Sequence, residues 1–121
     1  MSGERDLEFI GSSEKDLRKL PTDVKQIFAY GLELARLGTR HPDEKPFSGM
    51  GSANVREIRV REKGNAYRAV FTVEFEEAVY VLHVFQKKST RGIGTPKPDK
   101  DLIKSRLKWA QQLYKEEYGE K

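Results

Sequence analysis

The chain has 121 residues and no cysteine, which allows one modest core and excludes disulfides, thiolate metal sites and a cysteine nucleophile. Charged residues make up 35% of it for a net charge of +4, so both signs are abundant and the place where positive charge gathers matters more than the total. No apolar run approaches the roughly 20 residues of a membrane helix, and the start, Met1-Ser2-Gly3-Glu4-Arg5-Asp6, lacks the apolar segment of a signal peptide. The expectation is a single domain over residues 1–121, cytoplasmic and without membrane contact.

Leu7, Phe9 and Ile10 before the polar turn Gly11-Ser12-Ser13 predict a short first strand. Ser13 suits a helix cap, with Glu14 and Asp16 at the positive end of the helix dipole, and Pro21 stops that helix after Leu20. A longer helix then opens at Pro21 or Thr22. Its Val24, Ile27, Phe28, Gly31, Leu32, Leu34, Ala35 and Leu37 recur at three- and four-residue steps, and Gly38 closes it. Residues 39–53 read as an irregular connection kept extended by Pro42 and Pro46. From Asn54, Val55, Ile58 and Val60 are interleaved with Arg56, Glu57, Arg59 and Arg61, and the slip in period at Arg56-Glu57 points to a bulge. Lys63-Gly64-Asn65-Ala66 predicts a hairpin turn and residues 67–73 a second strand. The run Ala78-Val79-Tyr80-Val81-Leu82-His83-Val84-Phe85 predicts a central strand buried on both faces, which ends in a basic loop broken by Gly92, Gly94, Pro96 and Pro98. Asp99 is expected to cap a last helix with Leu102, Ile103, Arg106, Leu107, Ala110, Leu113 and Tyr114 on its inner face and Trp109 at the margin. From Lys115 the charged tail is expected to fray. The pattern is α+β: a strand, two helices, an antiparallel three-stranded meander and a C-terminal helix.

Positive charge concentrates in two stretches. Arg56, Arg59, Arg61, Lys63 and Arg68 fall between residues 55 and 68, and Lys87, Lys88, Arg91, Lys97 and Lys100 between 83 and 100. Arg59 and Arg61, two residues apart, share one face of a strand. Arg68 opens the neighbouring strand, and Lys87 and Lys88 end the strand after it. If the middle strand lies between the others, these groups meet in one phosphate-sized patch. The plainer alternative is a solvated face whose cations pair with Glu57, Glu62 and Glu76. His83, on simple alternation, shares a face with Val79, Val81 and Phe85 and reads as a core or half-buried residue before it reads as catalytic. Ser89 and Thr90 read as turn residues whose hydroxyls can assist phosphate binding. His41 and His83 stand in different contexts, so neither a metal nor a cofactor is expected, and Gly92-Ile93-Gly94-Thr95 lacks the strand-to-helix setting of a phosphate loop.

Tyr67-Arg68-Ala69-Val70-Phe71 and Tyr80-Val81-Leu82-His83-Val84-Phe85-Gln86-Lys87-Lys88-Ser89, followed by Gly92-Ile93-Gly94-Thr95-Pro96, resemble the HigB-type toxins. Ser12-Ser13-Glu14-Lys15-Asp16-Leu17-Arg18 and Lys45-Pro46-Phe47-Ser48-Gly49 add to the likeness, which runs from about Phe9 to Ala110. These toxins form the phage-derived branch of the RelE/ParE superfamily. The resemblance implies the toxin of a type II toxin–antitoxin pair with a RelE/ParE-like fold. RelE-like members cut messenger RNA on the ribosome and are neutralised by a cognate antitoxin, in the HigB arrangement a small HigA-like helix-turn-helix protein; ParE-like members poison DNA gyrase instead. Arg68 matches the arginine after the turn of the RelE-like nucleases, Arg59 a basic position on the preceding strand, and Lys87 and Lys88 the basic residue after the central strand. No C-terminal Tyr or His is placed like the general acids of some relatives.

Metal-independent RNA cleavage by such a protein uses the substrate's 2′-hydroxyl as nucleophile. Arg68 is then expected to stabilise the extra phosphoryl charge with Arg59 in support, and Lys87 or Lys88 to act as base or acid. Arg56, Arg61, Lys63, Arg91 and Lys97 would hold the RNA, with His83 and Thr90 as further candidates. A gyrase inhibitor and a non-enzymatic phage-derived RNA- or protein-binding module are the alternatives.

Overall fold

The structure is a computed structural model and describes residues 4–47, 54–87 and 95–119. In chain order these form β1 (Asp6–Phe9), α1 (Ser13–Arg18), α2 (Thr22–Arg36), β2 (Glu44–Pro46), β3 (Val55–Glu62), β4 (Asn65–Thr72), β5 (Ala78–Lys87) and α3 (Lys97–Tyr118). The strands make one five-stranded sheet in the order β1-β5-β4-β3-β2, so the α+β reading and the β3-β4-β5 meander hold. The strand expected at the centre, β5, is second from the edge, and β4 is the middle one. β1 joins that edge by pairing parallel to β5, from Asp6 opposite Ala78 to Phe9 opposite Val81.

Each face of the sheet has its own core. On one, Leu17, Val24, Phe28, Leu32 and Ala35 of α1 and α2 pack on Ile58, Val60, Ala69, Phe71, Val79 and Val81. On the other, Ile103 and Ala110 of α3 pack on Val55, Val70, Tyr80 and Leu82. α2 lies close against the sheet at Gly31, where a β-carbon would be 2.2 Å from Cδ1 of Ile58. α2 stops because Gly38, at φ 84°, turns back and its N–H reaches the Ala35 carbonyl, while the N–H of Thr39 reaches that of Leu34. α3 runs antiparallel to β5 for its whole length. Its 22 residues span about 33 Å, close to what a ten-residue strand covers.

Several local expectations need correction. The connection at 39–53 contains a strand, β2, because its proline-held extended backbone pairs with β3 from Glu44 opposite Ile58 to Pro46 opposite Arg56. The β3–β4 register is unbroken at Arg56-Glu57. What looked like a slip is true alternation with charges on buried faces: Arg56 is bonded to Glu44 Oε2 at 2.8 Å on one side and Glu57 is buried on the other. The bulge lies in β5, where Val70 opposes His83 but Phe71 opposes Val81, leaving Leu82 extra. In the hairpin turn the positive φ angles belong to Lys63 (51°) and Gly64 (83°), while Asn65 is already in β4. Pro96, not Asp99, sits at the N-cap of α3, and Ser12 precedes α1 while the Ser13 hydroxyl donates to the Val81 carbonyl. The C-terminal turns remain helical to Tyr118, whose hydroxyl donates to Asp6 at 2.6 Å. Trp109 is 49% exposed.

Candidate nucleic-acid interface

The hairpin end of the sheet carries the cationic cluster on the α3 face, just beyond the start of that helix. Because β3 and β4 are in register, Arg59 stands directly opposite Arg68, and Arg61 opposite Ala66. β4 and β5 continue the two rows, with Arg68 opposite Phe85 and Ala66 opposite Lys87. Ala66, with only a methyl group, therefore makes a low point flanked by Arg61 and Lys87, with Arg68 two residues along the same strand.

Arg68 is fixed from both sides. Its Nη1 donates to the Thr95 hydroxyl at 2.8 Å, and the same atom lies 3.9 Å from Glu57 Oε1. Burial, then the neighbouring Arg59, hold its guanidinium below the ordinary arginine value, while Glu57 and Asp99 act against that. Arg59 is partly exposed and donates through Nε to Glu57 Oε2 at 3.2 Å, and its Nη2 lies 3.1 Å from the same oxygen. Glu57 is buried; its Oε1 and Arg68 Nε have no hydrogen-bond partner among the described residues. Lys87 is buried, and its ammonium is held below the usual lysine range by burial first, then by Arg68 and Arg59.

The other expected residues divide. Arg61 belongs to the patch and is exposed, and Lys63 is exposed at the tip of the turn. Arg56 does not belong: alternation turns it to the α2 face, where it is buried against Glu44. Lys97 sits in the first turn of α3, exposed and paired with Asp101 at 3.0 Å. Lys88, Thr90 and Arg91 lie outside the described residues. His83 departs from its expected face because the bulge at Leu82 resets the alternation. It stacks on Phe85 at 4.3 Å between centroids, and its Nε2 lies 2.7 Å from Asp99 Oδ1. Burial lowers its pKa, the Asp99 hydrogen bond opposing, so the neutral imidazole donates that bond. No group of three metal-ligating side chains occurs among the described residues, and no helix there is long and apolar enough to cross a membrane.

Glu57, named from the sequence as a partner for the strand cations, does pair with Arg59 and lies beside Arg68, two positions before Arg59 and so on the same face. Two further residues were missed. Asp99 was read only as a cap. Thr95 carries no local signal, because its contact with Arg68 spans 27 residues.

A family model described as phage-derived protein Gp49-like (DUF891) matches residues 15–108. The chain belongs to this Gp49-like family. Among solved structures, the Gp49-like chain is similar to the E. coli toxin RelE, in a variant with two arginines replaced by alanine, in the free state. That match has a TM-score of 0.56 at 20% identity and covers 88% of this chain and 97% of that one. A second RelE structure, of the isolated E. coli toxin, gives a TM-score of 0.51 at 22% identity, with 84% and 97% covered. At these identities the likeness establishes a RelE-type fold for the Gp49-like chain. No curated protein matches it by sequence.

Proposed function

We propose that this Gp49-like protein is the toxin of a type II toxin–antitoxin pair and acts as a metal-independent endoribonuclease of the HigB type on ribosome-bound messenger RNA. The observation that carries the reading is Arg59 standing directly opposite Arg68 on adjacent strands, with Lys87 in the next row. Like charges in that position cost a sheet stability, and a single buried carboxylate, Glu57, offsets them. A phosphodiester over Ala66 would supply the remaining negative charge. Membership in the phage-derived family and the RelE-type fold favour RNA as its source.

In this mechanism the substrate's 2′-hydroxyl gives its proton to solvent water and its oxygen attacks the adjacent phosphorus. The bond to the 5′-oxygen breaks, a 2′,3′-cyclic phosphate and a 5′-hydroxyl result, and Lys87 regains from solvent the proton it gives up. Arg68, preorganised by Thr95, meets the charge that grows on the phosphoryl oxygens, and Arg59 assists. Lys87, with its lowered affinity for a proton, is the donor to the departing 5′-oxygen. Glu57 is engaged by Arg59 and lies beside Arg68, and acts as the counter-ion that keeps the two together. A helix-turn-helix antitoxin with an acidic surface would quench the patch by covering it.

Induction of the wild type should arrest growth, with primer extension showing new 5′ ends inside translated messages. Growth arrest with DNA damage and intact messages would instead identify a gyrase poison, and unimpaired growth a binding module.

A further inference from the structure

The end of the sheet away from the cationic patch carries the reverse charge. Asp6 and Glu8 of β1 lie beside Ala78 and Tyr80 on the α3 face, and Glu76 and Glu77 lead into β5. Two tyrosines of α3 are tied to these acids: Tyr118 donates to Asp6 at 2.6 Å and Tyr114 to Glu77 at 3.0 Å. Their rings are 4.9 Å apart at 35°, and Phe75 lies 4.5 Å from Tyr114 at 33°. The two tyrosines, Gly119 and the carboxylates of Glu76 and Glu77 line a groove.

Beneath it, Tyr80 is fully buried and meets Phe75 edge-on, and its hydroxyl has no hydrogen-bond partner among the described residues. That hydroxyl lies in the field of Glu117, Glu8 and Tyr114, and burial together with their charge pushes it up to about 12. Glu8, through burial and then Glu117, and Tyr118, through its bond to Asp6, are raised as well. Among the described residues the groove is lined by two glutamates, two tyrosines and Gly119, with no lysine or arginine in its walls.

We propose that this groove receives an arginine side chain presented by a basic peptide segment of a protein partner. A guanidinium can stack on the tyrosine rings while its fork meets the Glu77 carboxylate. A lysine ammonium has the charge but not the plane. The site is distinct from the RNA patch and does not depend on the nuclease reading.

The test titrates the full-length, ¹⁵N-labelled chain with a hexa-arginine peptide and follows amide shifts. Saturable shifts confined to Glu76, Glu77, Tyr114, Tyr118 and Gly119 are expected, with hexalysine about fivefold weaker. Glu77→Gln, at an exposed position where the amide oxygen can still accept from Tyr114, should weaken hexa-arginine about tenfold, while Arg68→Ala should leave it unchanged. Shifts scattered over all surface carboxylates, equal affinity for hexalysine, or no effect of Glu77→Gln would overturn the proposal. Head-to-tail self-association of the chain at low salt, seen by sedimentation and lost in Glu77→Gln, would also overturn it by making a second copy the occupant.

Discussion

Arg68 is held by the Thr95 hydroxyl, just ahead of α3, on one side and a buried carboxylate from β3 on the other, so its guanidinium cannot drift with solvent. Such fixing is what a transition-state charge stabiliser needs, because reorganisation during the reaction would waste the interaction. Arg68→Ala should therefore cut cleavage by about 10²-fold or more while the melting temperature stays near wild type, and Arg68→Lys should rescue little of it. Full cleavage by either variant, measured by primer extension in a translation extract, would remove Arg68 from the chemistry. Glu57→Gln keeps the shape but not the charge that separates Arg59 from Arg68. It should destabilise the fold by about 1–3 kcal/mol, read by urea denaturation. His83 supplies a pH signature. Burial holds it neutral in the folded state, so below about pH 6.5 the unfolded chain binds more protons than the native one. Its contribution to stability is level above that value and is lost as the pH falls through the lowered native pKa. His83→Gln, which still offers Asp99 a donor, should flatten this part of the acid slope in urea melts between pH about 7.5 and about 5. An unchanged slope would assign it to other groups.

At the level of elements, much of the fold was legible because apolar periodicity survives in α2, the inner face of α3 and the β3-β4-β5 run. What was not legible has two physical sources. Charges on buried faces, Arg56 with Glu44 and Glu57 with Arg59, imitate a broken pattern where the alternation is intact. The bulge at Leu82 leaves no trace in composition, since Val81, Leu82 and Val84 are equally at home on either face; this put His83 on the wrong side. The same holds for the site: the strand cations could be gathered from spacing, but Thr95 and Asp99 reach it only through the way α3 docks. That docking and the close approach of α2 make the helices sensitive to bulk. Gly31→Ala would press a methyl into Ile58, itself fully buried, and should cost about 1–3 kcal/mol, measured as a fall in denaturation midpoint. A neutral result would mean that α2 can slide on the sheet.

Across the whole molecule, charge is sorted along β5. Its N-terminal end lies among Asp6, Glu76 and Glu77, and its C-terminal end among Arg59, Arg61 and Arg68. Ten residues of strand separate the two ends by about 30 Å, about three times the screening length of roughly 10 Å at 0.1 M salt. On the proposed reading, the acidic end would not weaken RNA held at the basic end, yet over the longer approach at low salt it would orient the molecule with its patch toward a polyanion. Once RNA is bound, only the local charges count. Single strands give a slope of about −0.7 in log K against log salt per neutralised phosphate, so about two or three phosphates held over the patch give about −2. Binding of a 2′-O-methyl RNA, which cannot be cleaved, followed by fluorescence anisotropy between low and moderate salt, should show that slope. Arg61→Ala should reduce its steepness by about 0.7 and weaken all sequences alike, while Glu77→Gln at the far end should leave it untouched. If Arg61→Ala leaves the slope as it was, the RNA does not cross Ala66, and the route of the strand over this face must be redrawn.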